Sequence, residues 1–277
     1  GAERIVAVDH LGRFPDAALR VTDRLAAPVG PLARHLVDCL SAGHTADAAW
    51  TATWTGAEEI ATGAVGDLVS RAPFDEPVVV AALDRSLPDA VELVVGNSMP
   101  IRDLDAFLPA DDRPWSIRGN RGANGIDGQV STAAGIAAGS EVPTVLLAGD
   151  LTVLHDLGGL VAVGRLGVDL TVVVVDNDGG GIFSFLPIVD EPRVDHHRLF
   201  HTPHGLDLGR AAALANITLH RATDPAGLQE ALAASIASPG PHLVHVRTDA
   251  AINVGLHRDA AAAVETALRE RALGDPA

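Results

Sequence analysis

The sequence contains no lysine, no tyrosine and only one cysteine, and these absences exclude several kinds of chemistry. Without lysine, no side chain can form a Schiff base with a carbonyl substrate. Every residue with a permanent positive charge is an arginine, whose planar guanidinium suits bidentate binding of carboxylates. The lone Cys39 cannot form an internal disulfide and is typical of a reducing compartment. We expect Cys39 to fill space in the core.

Positive charge is also scarce, since the formal net charge is −16 over 277 residues. This balance disfavours nucleic acid and anionic membranes as partners, because both require clustered positive charge. No uncharged apolar run is long enough to cross a bilayer, and no signal peptide opens the chain. We therefore expect a soluble, cytoplasmic protein. Residue 1 is a glycine and the only methionine is Met99, so we also expect a fragment of a longer protein.

The order of strand-like and helix-like patterns divides the chain near residue 72. Residues 73–277 alternate apolar strands with helices, which predicts a doubly wound parallel α/β sheet. Residues 1–72 predict the end of a preceding α/β domain and a connecting helix. The predicted strands are 4–8, 17–22, 91–95, 115–118, 142–147, 170–175, 217–220 and 242–247, and the predicted helices are 31–40, 45–70, 76–87, 101–107, 130–138, 154–166, 228–236 and 259–273.

An acid and an amide follow two neighbouring strands of this predicted sheet. Asp150 comes after the strand at 142–147, and Asn177 comes 27 positions later, after the strand at 170–175. One crossover helix fits that spacing, so both side chains are expected at the carboxyl edge of the sheet, where such sheets bind ligands. A carboxylate, an amide oxygen and the carbonyl of Gly179 form a hard oxygen site, which Mg²⁺ favours when phosphates complete its coordination. The alternative is ordinary turn chemistry.

Glycine with a polar side chain recurs at four predicted strand ends. Four such ends along one edge indicate a ligand lying across the sheet, because glycine permits close approach of the backbone. Ser98 is placed to donate its hydroxyl to a diphosphate. The four segments are 96–98, 120–122, 149–150 and 177–179.

Longer strings around these ends carry a resemblance to a known family. Residues 96–103 (GNSMPIRD), 120–128 (NRGANGIDG), 149–152 (GDLT) and 177–183 (NDGGGIF) occur in this order. Together they resemble the C-terminal part of the 2-succinyl-5-enolpyruvyl-6-hydroxy-3-cyclohexene-1-carboxylate synthases, a family of thiamin diphosphate enzymes of menaquinone biosynthesis. The resemblance runs from about Glu3 to the C-terminus, and the string at 120–128 is its most specific part.

The resemblance implies thiamin diphosphate and Mg²⁺ (or Mn²⁺) as cofactors. The implied metal ligands are Asp150, Asn177 and the carbonyl of Gly179. Ile126 would lie under the cofactor and support its bent form. The full set of implied cofactor-binding residues is Asn97, Ser98, Ile126, Gly149, Asp150, Leu151, Asn177 and Gly179.

The resemblance also implies a substrate site built from two arginines and an apolar wall. Arg102 and Arg121 would bind substrate carboxylates, and Ile182, Phe183 and Leu186 would cover the reacting carbon. Core packing is the alternative for Ile182 and Phe183.

The reaction implied by the resemblance is a transfer. It decarboxylates 2-oxoglutarate and adds the succinyl carbanion equivalent to isochorismate, in a homodimeric or homotetrameric full-length protein. The glutamate that activates the cofactor in this family belongs to an N-terminal domain that this chain does not contain. No catalytic residue is therefore assigned here, and the 277-residue chain by itself is expected to be inactive.

Two other functions fit the same residues. The first is another thiamin diphosphate carboligase or decarboxylase, similar to acetohydroxyacid synthase and acting on pyruvate, which needs no second anion clamp. The second is a non-catalytic binding or regulatory domain derived from such an enzyme. The histidines between His196 and His204 predict a polar cover over the site, with metal binding as the alternative.

Overall fold

The computed structural model describes residues 3–14, 16–41, 43, 45, 47–120 and 125–274, which divide into two compact units, Gly1–Gly56 and Ala57–Ala277. The first unit contains two parallel strands, β1 (Val6–Val8) and β2 (Asp23–Leu25), and helix α1 (Val29–Ser41). Helix α2 (Ala48–Arg71) begins in this unit and ends next to residue 72. The compact units separate at Gly56, not near residue 72. The division into domains at 1–72 and 73–277 stays a prediction.

Cys39 lies on an exposed part of helix α1. Its Sγ atom is 3.6 Å from Nε2 of His35, one helical turn away. The prediction that Cys39 fills the core is therefore wrong. The error arose because cysteine is usually buried, and residue type alone does not show which face of a helix packs inward.

The described residues of the second unit form a six-stranded sheet in which every neighbouring pair is parallel. Its spatial order is β4-β3-β5-β6-β8-β7, as expected for a doubly wound sheet. The strands are β3 (Glu92–Val95), β4 (Ser116–Gly119), β5 (Thr144–Gly149), β6 (Leu170–Asp176), β7 (Thr218–Ala222) and β8 (His242–Arg247). The predicted fold class is confirmed.

Helices cover both faces of this sheet, which is why its central strands are continuously apolar. Along β6, Val173 and Val175 face one buried cluster, whereas Val172 and Val174 face the other. The helices are α3 (Glu76–Ser86), α4 (Met99–Phe107), α5 (Gln129–Gly139), α6 (Asp150–His155), α7 (Leu157–Leu166), α8 (Leu208–Leu214), α9 (Pro225–Ala237) and α10 (Ala250–Gly274). No helix in the described part of the chain is both long and apolar enough to cross a membrane.

Several elements differ from the prediction. The strand expected at 17–22 lies instead at Asp23–Leu25, and the helix expected from residue 259 begins at Ala250. The expected single crossover helix at 154–166 consists of α6 and α7, because Asp156 ends the first helix and caps the second by accepting a hydrogen bond from the N–H of Gly159 at 3.2 Å. The segment after β6 forms two 3-10 helices (Gly181–Phe185 and Pro187–Asp190) and one turn of π-helix (His197–His201). Helix α8 was not predicted.

The order of the strands reverses direction between β3 and β5. From β3 the chain moves outward to β4, and it then returns past β3 to β5 and continues to β6. Such a reversal opens a crevice at the carboxyl ends of the strands. Gly96 follows β3 here, and a Cβ at this position would lie only 3.2 Å from Cα of Ala148 on β5. Glycine therefore lets the backbone leave β3 close against its neighbour.

Candidate functional site

Asp150 lies at the carboxyl edge of the sheet, as the first residue of α6 directly after β5. Its carboxylate is buried. Oδ1 accepts a hydrogen bond from the N–H of Leu151 at 2.6 Å, and Oδ2 accepts one from the N–H of Gly179 at 2.8 Å. The end of β5 is thereby joined to the turn after β6, so the structure brings Asp150 and Gly179 together.

The turn that follows β6 has a backbone that requires glycine. Gly179 has φ of 154°, and a Cβ there would collide with the carbonyl oxygen of His201. Asp178 also has a positive φ, 63°, and its N–H donates to Oδ1 of Asp176 at 3.0 Å. This turn presents the N–H of Gly179 to Asp150, and it carries Asn177 at the same edge of the sheet.

Asn177 has one end of its amide satisfied and the other open. Its Nδ2 donates to Oε1 of Glu76 at 2.9 Å. Its Oδ1 is buried and accepts no hydrogen bond from the described residues. A buried oxygen without a donor is unusual and calls for a ligand. An amide oxygen at the same sheet edge as a carboxylate matches the oxygen ligands of Mg²⁺, so these residues fit the metal implied by the sequence.

Two buried carboxylates at this edge have opposite pKa shifts. Burial is the main reason that the pKa of Asp150 is raised, and the carboxylate of Asp176 adds to the effect. Burial alone would also raise the pKa of Asp176, but donors lower it below its usual range. Nε2 of His245 lies 2.7 Å and Nη1 of Arg247 lies 3.0 Å from Oδ2 of Asp176. Asp176 is thus held ionised, and a cation would do the same for Asp150.

His204 contacts Asp150, and the sequence did not predict this contact. Its Nε2 lies 3.1 Å from Oδ2 of Asp150 and 3.7 Å from Oδ1 of Asp176. The ligand atoms of these three residues are close enough to hold a metal ion. However, Nδ1 of His204 accepts the N–H of Leu206 at 3.0 Å, so the ring proton is on Nε2. A protonated nitrogen donates to Asp150 and does not coordinate a metal.

The other side of the crevice is organised by Asn97. Its Nδ2 donates to the carbonyls of Asn120 and Gly125, which joins the segment after β3 to the segment after β4. The next residue, Ser98, has φ of 74° and precedes α4. Its carbonyl accepts a hydrogen bond from Nη1 of Arg102 at 2.6 Å. Asn97, Ser98 and Arg102 therefore form one local unit at the carboxyl end of β3.

Residues 110–246 match the family described as thiamine pyrophosphate enzyme, C-terminal TPP binding domain. The chain is 46% identical over 225 residues to 2-succinyl-5-enolpyruvyl-6-hydroxy-3-cyclohexene-1-carboxylate synthase of Myxococcus xanthus, covering 80% of this chain and 38% of the relative. The chain belongs to the thiamine pyrophosphate enzymes.

Two further relatives and one solved structure are also similar to this chain. The synthase of Chloroflexus aurantiacus is 45% identical over 80% of this chain, and that of Listeria innocua is 36% identical over 96% of it. The chain spans only 38% and 46% of the lengths of these two relatives. The crystal structure of benzoylformate decarboxylase from Polynucleobacter necessarius shares the fold, with a TM-score of 0.53 at 19% identity over 63% of this chain and 33% of that one.

The apolar residues predicted to form the substrate wall of this thiamine pyrophosphate enzyme lie on the first 3-10 helix and just after it. Phe183 is 39% exposed, which disfavours core packing for this residue, and Leu186 is 44% exposed. The ring of Phe183 packs edge-on against Phe200 at 5.9 Å. Ile182 is half-buried beside them.

Two predicted residues of the cofactor and substrate sites lie in the segment before α5. Ile126 is half-buried there, two residues before the N-terminal cap of α5. Arg121 lies outside the described residues. Gly149 ends β5 and precedes Asp150 directly, so it belongs to the same edge of the sheet.

Proposed function

We propose that this chain is the diphosphate-binding part of a 2-succinyl-5-enolpyruvyl-6-hydroxy-3-cyclohexene-1-carboxylate synthase. The reaction would decarboxylate 2-oxoglutarate and transfer the succinyl group to isochorismate in menaquinone biosynthesis. Relatives of this name that are 36–46% identical support the proposal. The observation that carries it is the buried, open Oδ1 of Asn177 at the sheet edge that also carries Asp150.

In this proposal the oxygen ligands at the sheet edge hold Mg²⁺ or Mn²⁺ against a diphosphate. The ligands are the carboxylate of Asp150, Oδ1 of Asn177 and the carbonyl of Gly179. When bound, thiamin diphosphate supplies a nucleophilic carbon and an electron sink, which no side chain of this chain can provide. Asn97 and Ser98, on the opposite side of the crevice, bind the diphosphate.

The substrate side of the site follows from charge and apolar surface. 2-Oxoglutarate and isochorismate are both carboxylates, and Arg102 and Arg121 would bind and orient them. Ile182, Phe183 and Leu186 would exclude water from the reacting carbon, and Ile126 would support the cofactor from below. Gly149 and Leu151 place the backbone on each side of Asp150.

The assembly and location belong to the same proposal. We propose a homodimeric or homotetrameric full-length protein in the cytoplasm, in which a glutamate outside this chain activates the cofactor. The share of the relatives' length that this chain covers supports a further contributing segment.

A substrate comparison tests the proposed reaction. The full-length protein that carries this chain is incubated with Mg²⁺, thiamin diphosphate and isochorismate, and with either 2-oxoglutarate or pyruvate as donor. The expected result is a succinyl adduct, detected by mass spectrometry, that forms only when 2-oxoglutarate is the donor. Preferential use of pyruvate would overturn the proposed substrate, and binding of cofactor without any product would favour a binding domain.

A further inference from the structure

We infer that Glu76 is a positioning residue that holds the amide of Asn177 with Oδ1 turned toward the metal site. Glu76 is the first residue of α3, far from both metal-binding turns in sequence, and it is only 1% exposed. The inference rests on the proposed function, because it concerns how one proposed metal ligand is oriented. It assigns Glu76 no contact with metal, cofactor or substrate.

Glu76 accepts hydrogen bonds from three different parts of the second unit. Oε1 accepts Nδ2 of Asn177 at 2.9 Å and the hydroxyl of Thr248 at 3.2 Å. Oε2 accepts Nδ2 of Asn253 on α10 at 2.9 Å. Because Thr248 and Asn177 both donate to Oε1, this oxygen is an acceptor facing the turn after β6. The carboxyl group is therefore fixed before any ligand arrives.

The orientation of Asn177 follows from this fixed acceptor. An asparagine amide can rotate by half a turn and exchange its oxygen with its nitrogen. With Nδ2 on Glu76, the oxygen must point away, where it meets no donor among the described residues. The opposite rotamer would place two oxygens in contact and would offer N–H groups to a cation. Gly181 leaves room for the amide, since a Cβ there would lie 2.5 Å from Nδ2 of Asn177.

Two variants of Glu76 test the hydrogen bond to Asn177. Glu76→Asp keeps a carboxyl group at the start of α3, but it withdraws the oxygen from Asn177. Glu76→Gln keeps an oxygen at the same reach, which can accept from Asn177 and Thr248 in place of Oε1. Thr171→Val is the control, because it removes a buried hydrogen bond, from the Thr171 hydroxyl to Ser235, that involves neither Glu76 nor Asn177.

The measurement is the affinity of the full-length protein for Mn²⁺ with saturating thiamin diphosphate, followed by the electron paramagnetic resonance signal of free Mn²⁺. Removing a partner that orients a metal ligand typically weakens metal binding about 10–100-fold. We expect a loss of that size for Glu76→Asp, and affinities close to wild type for Glu76→Gln and Thr171→Val.

Three outcomes overturn the inference: wild-type affinity in Glu76→Asp, equal weakening in Glu76→Gln, or equal weakening in Thr171→Val. Thermal unfolding checks that each variant is folded. If Glu76→Asp does not fold, Glu76→Ala takes its place, because it also withdraws the oxygen from Asn177, and wild-type affinity there would overturn the inference. Absence of Mn²⁺ binding in the wild-type protein would instead refute the proposed function, so the two failures are distinguishable.

Discussion

Individual residues at the sheet edge differ in how far their charges are compensated. Asp176 has His245 and Arg247 as partners, whereas the described donors to Asp150 are two backbone N–H groups and His204. Among the described residues no arginine contacts Asp150. In the proposed function a divalent cation is therefore the counter-ion of Asp150, and the open oxygen of Asn177 is its second proposed ligand.

The roles of Arg102 and Arg121 can be tested by replacing each with lysine. Lysine keeps the charge but loses the planar fork, so use of the carboxylate substrates should weaken by about 1–3 kcal/mol, the scale of a charge-assisted hydrogen bond. Steady-state kinetics with each substrate would measure the loss, and calorimetry should show nearly unchanged binding of thiamin diphosphate. An arginine whose replacement abolishes cofactor binding instead belongs to the cofactor site.

Asp103 should make stability depend on pH. Burial raises its pKa to about 6, above that of an unfolded aspartate, so its contribution to stability is present at low pH and is lost as pH rises through about 6. The asparagine in Asp103→Asn cannot ionise. The free energy of unfolding of this variant minus that of wild type should therefore be larger at pH 7.5 than at pH 4, by about 2–3 kcal/mol.

Urea unfolding of both proteins at the two pH values measures this difference. Asp75, whose pKa is also raised to about 6 mainly by burial, and Glu76, whose pKa burial raises well above its usual range, both interact with Asp103, so the comparison reports on this group of buried acids. A difference that stays constant with pH would show that Asp103 does not titrate as described.

The sequence predicted residues whose neighbours are local and missed those whose partners are distant. Asp150 and Asn177 follow apolar strands, and parallel strands end at the same edge, so their proximity could be predicted. Glu76 contacts Asn177 across 101 positions, and His204 contacts Asp150 across 54. No periodicity connects such pairs. The group of histidines drew attention to His204, but only the fold shows which of them is buried.

At the scale of elements, the close approach of α7 to the end of α8 depends on one glycine. A Cβ at Gly164 would collide with the carbonyl oxygen of Ala215, and backbone cannot move aside as a flexible side chain can. Gly158, near the start of the same helix, has nothing within 4 Å of such a Cβ.

Alanine substitution at these two glycines is therefore a matched pair. Gly164→Ala should lower the free energy of unfolding by at least about 1–3 kcal/mol, as overpacking does. Gly158→Ala should be neutral or stabilising by up to about 1 kcal/mol, because alanine favours helix. Chemical denaturation of both variants measures the difference, and equal effects would contradict the described packing of α7.

Element boundaries were predicted less well where side chains rather than periodicity set them. The break between α6 and α7 depends on Asp156, whose carboxylate accepts from Gly159 and also from the N–H and hydroxyl of Ser131 on α5. That tertiary contact is invisible in a helical pattern. The 3-10 and π-helical turns after β6 likewise lack a hydrophobic period that would identify them.

At the scale of the whole molecule, the parallel sheet was predictable because its strands are apolar on both faces and alternate with helices. The spatial order of the strands was not, since composition does not determine which edge a strand joins. The sheet places the proposed metal ligands directly after β5 and β6, next to the reversal between β3 and β5.

The 277-residue chain by itself should fold and bind thiamin diphosphate weakly or not at all, and it should give no product from 2-oxoglutarate and isochorismate. The reason is that the proposed activating glutamate lies outside it, and the chain spans only 38–46% of the relatives compared above. A product assay on the purified chain tests this, and sustained turnover would refute it.

The central claim is that Asp150, with Asn177 and Gly179, holds the divalent ion that anchors thiamin diphosphate. The most direct test is calorimetric titration of thiamin diphosphate into the full-length protein with Mg²⁺ or with EDTA, for wild type, Asp150→Ala and a charge-matched control, Glu141→Ala. Glu141 is exposed at the opposite end of β5. The account predicts Mg²⁺-dependent binding in wild type and control and its loss in Asp150→Ala, whereas equal affinity in all three proteins would contradict it.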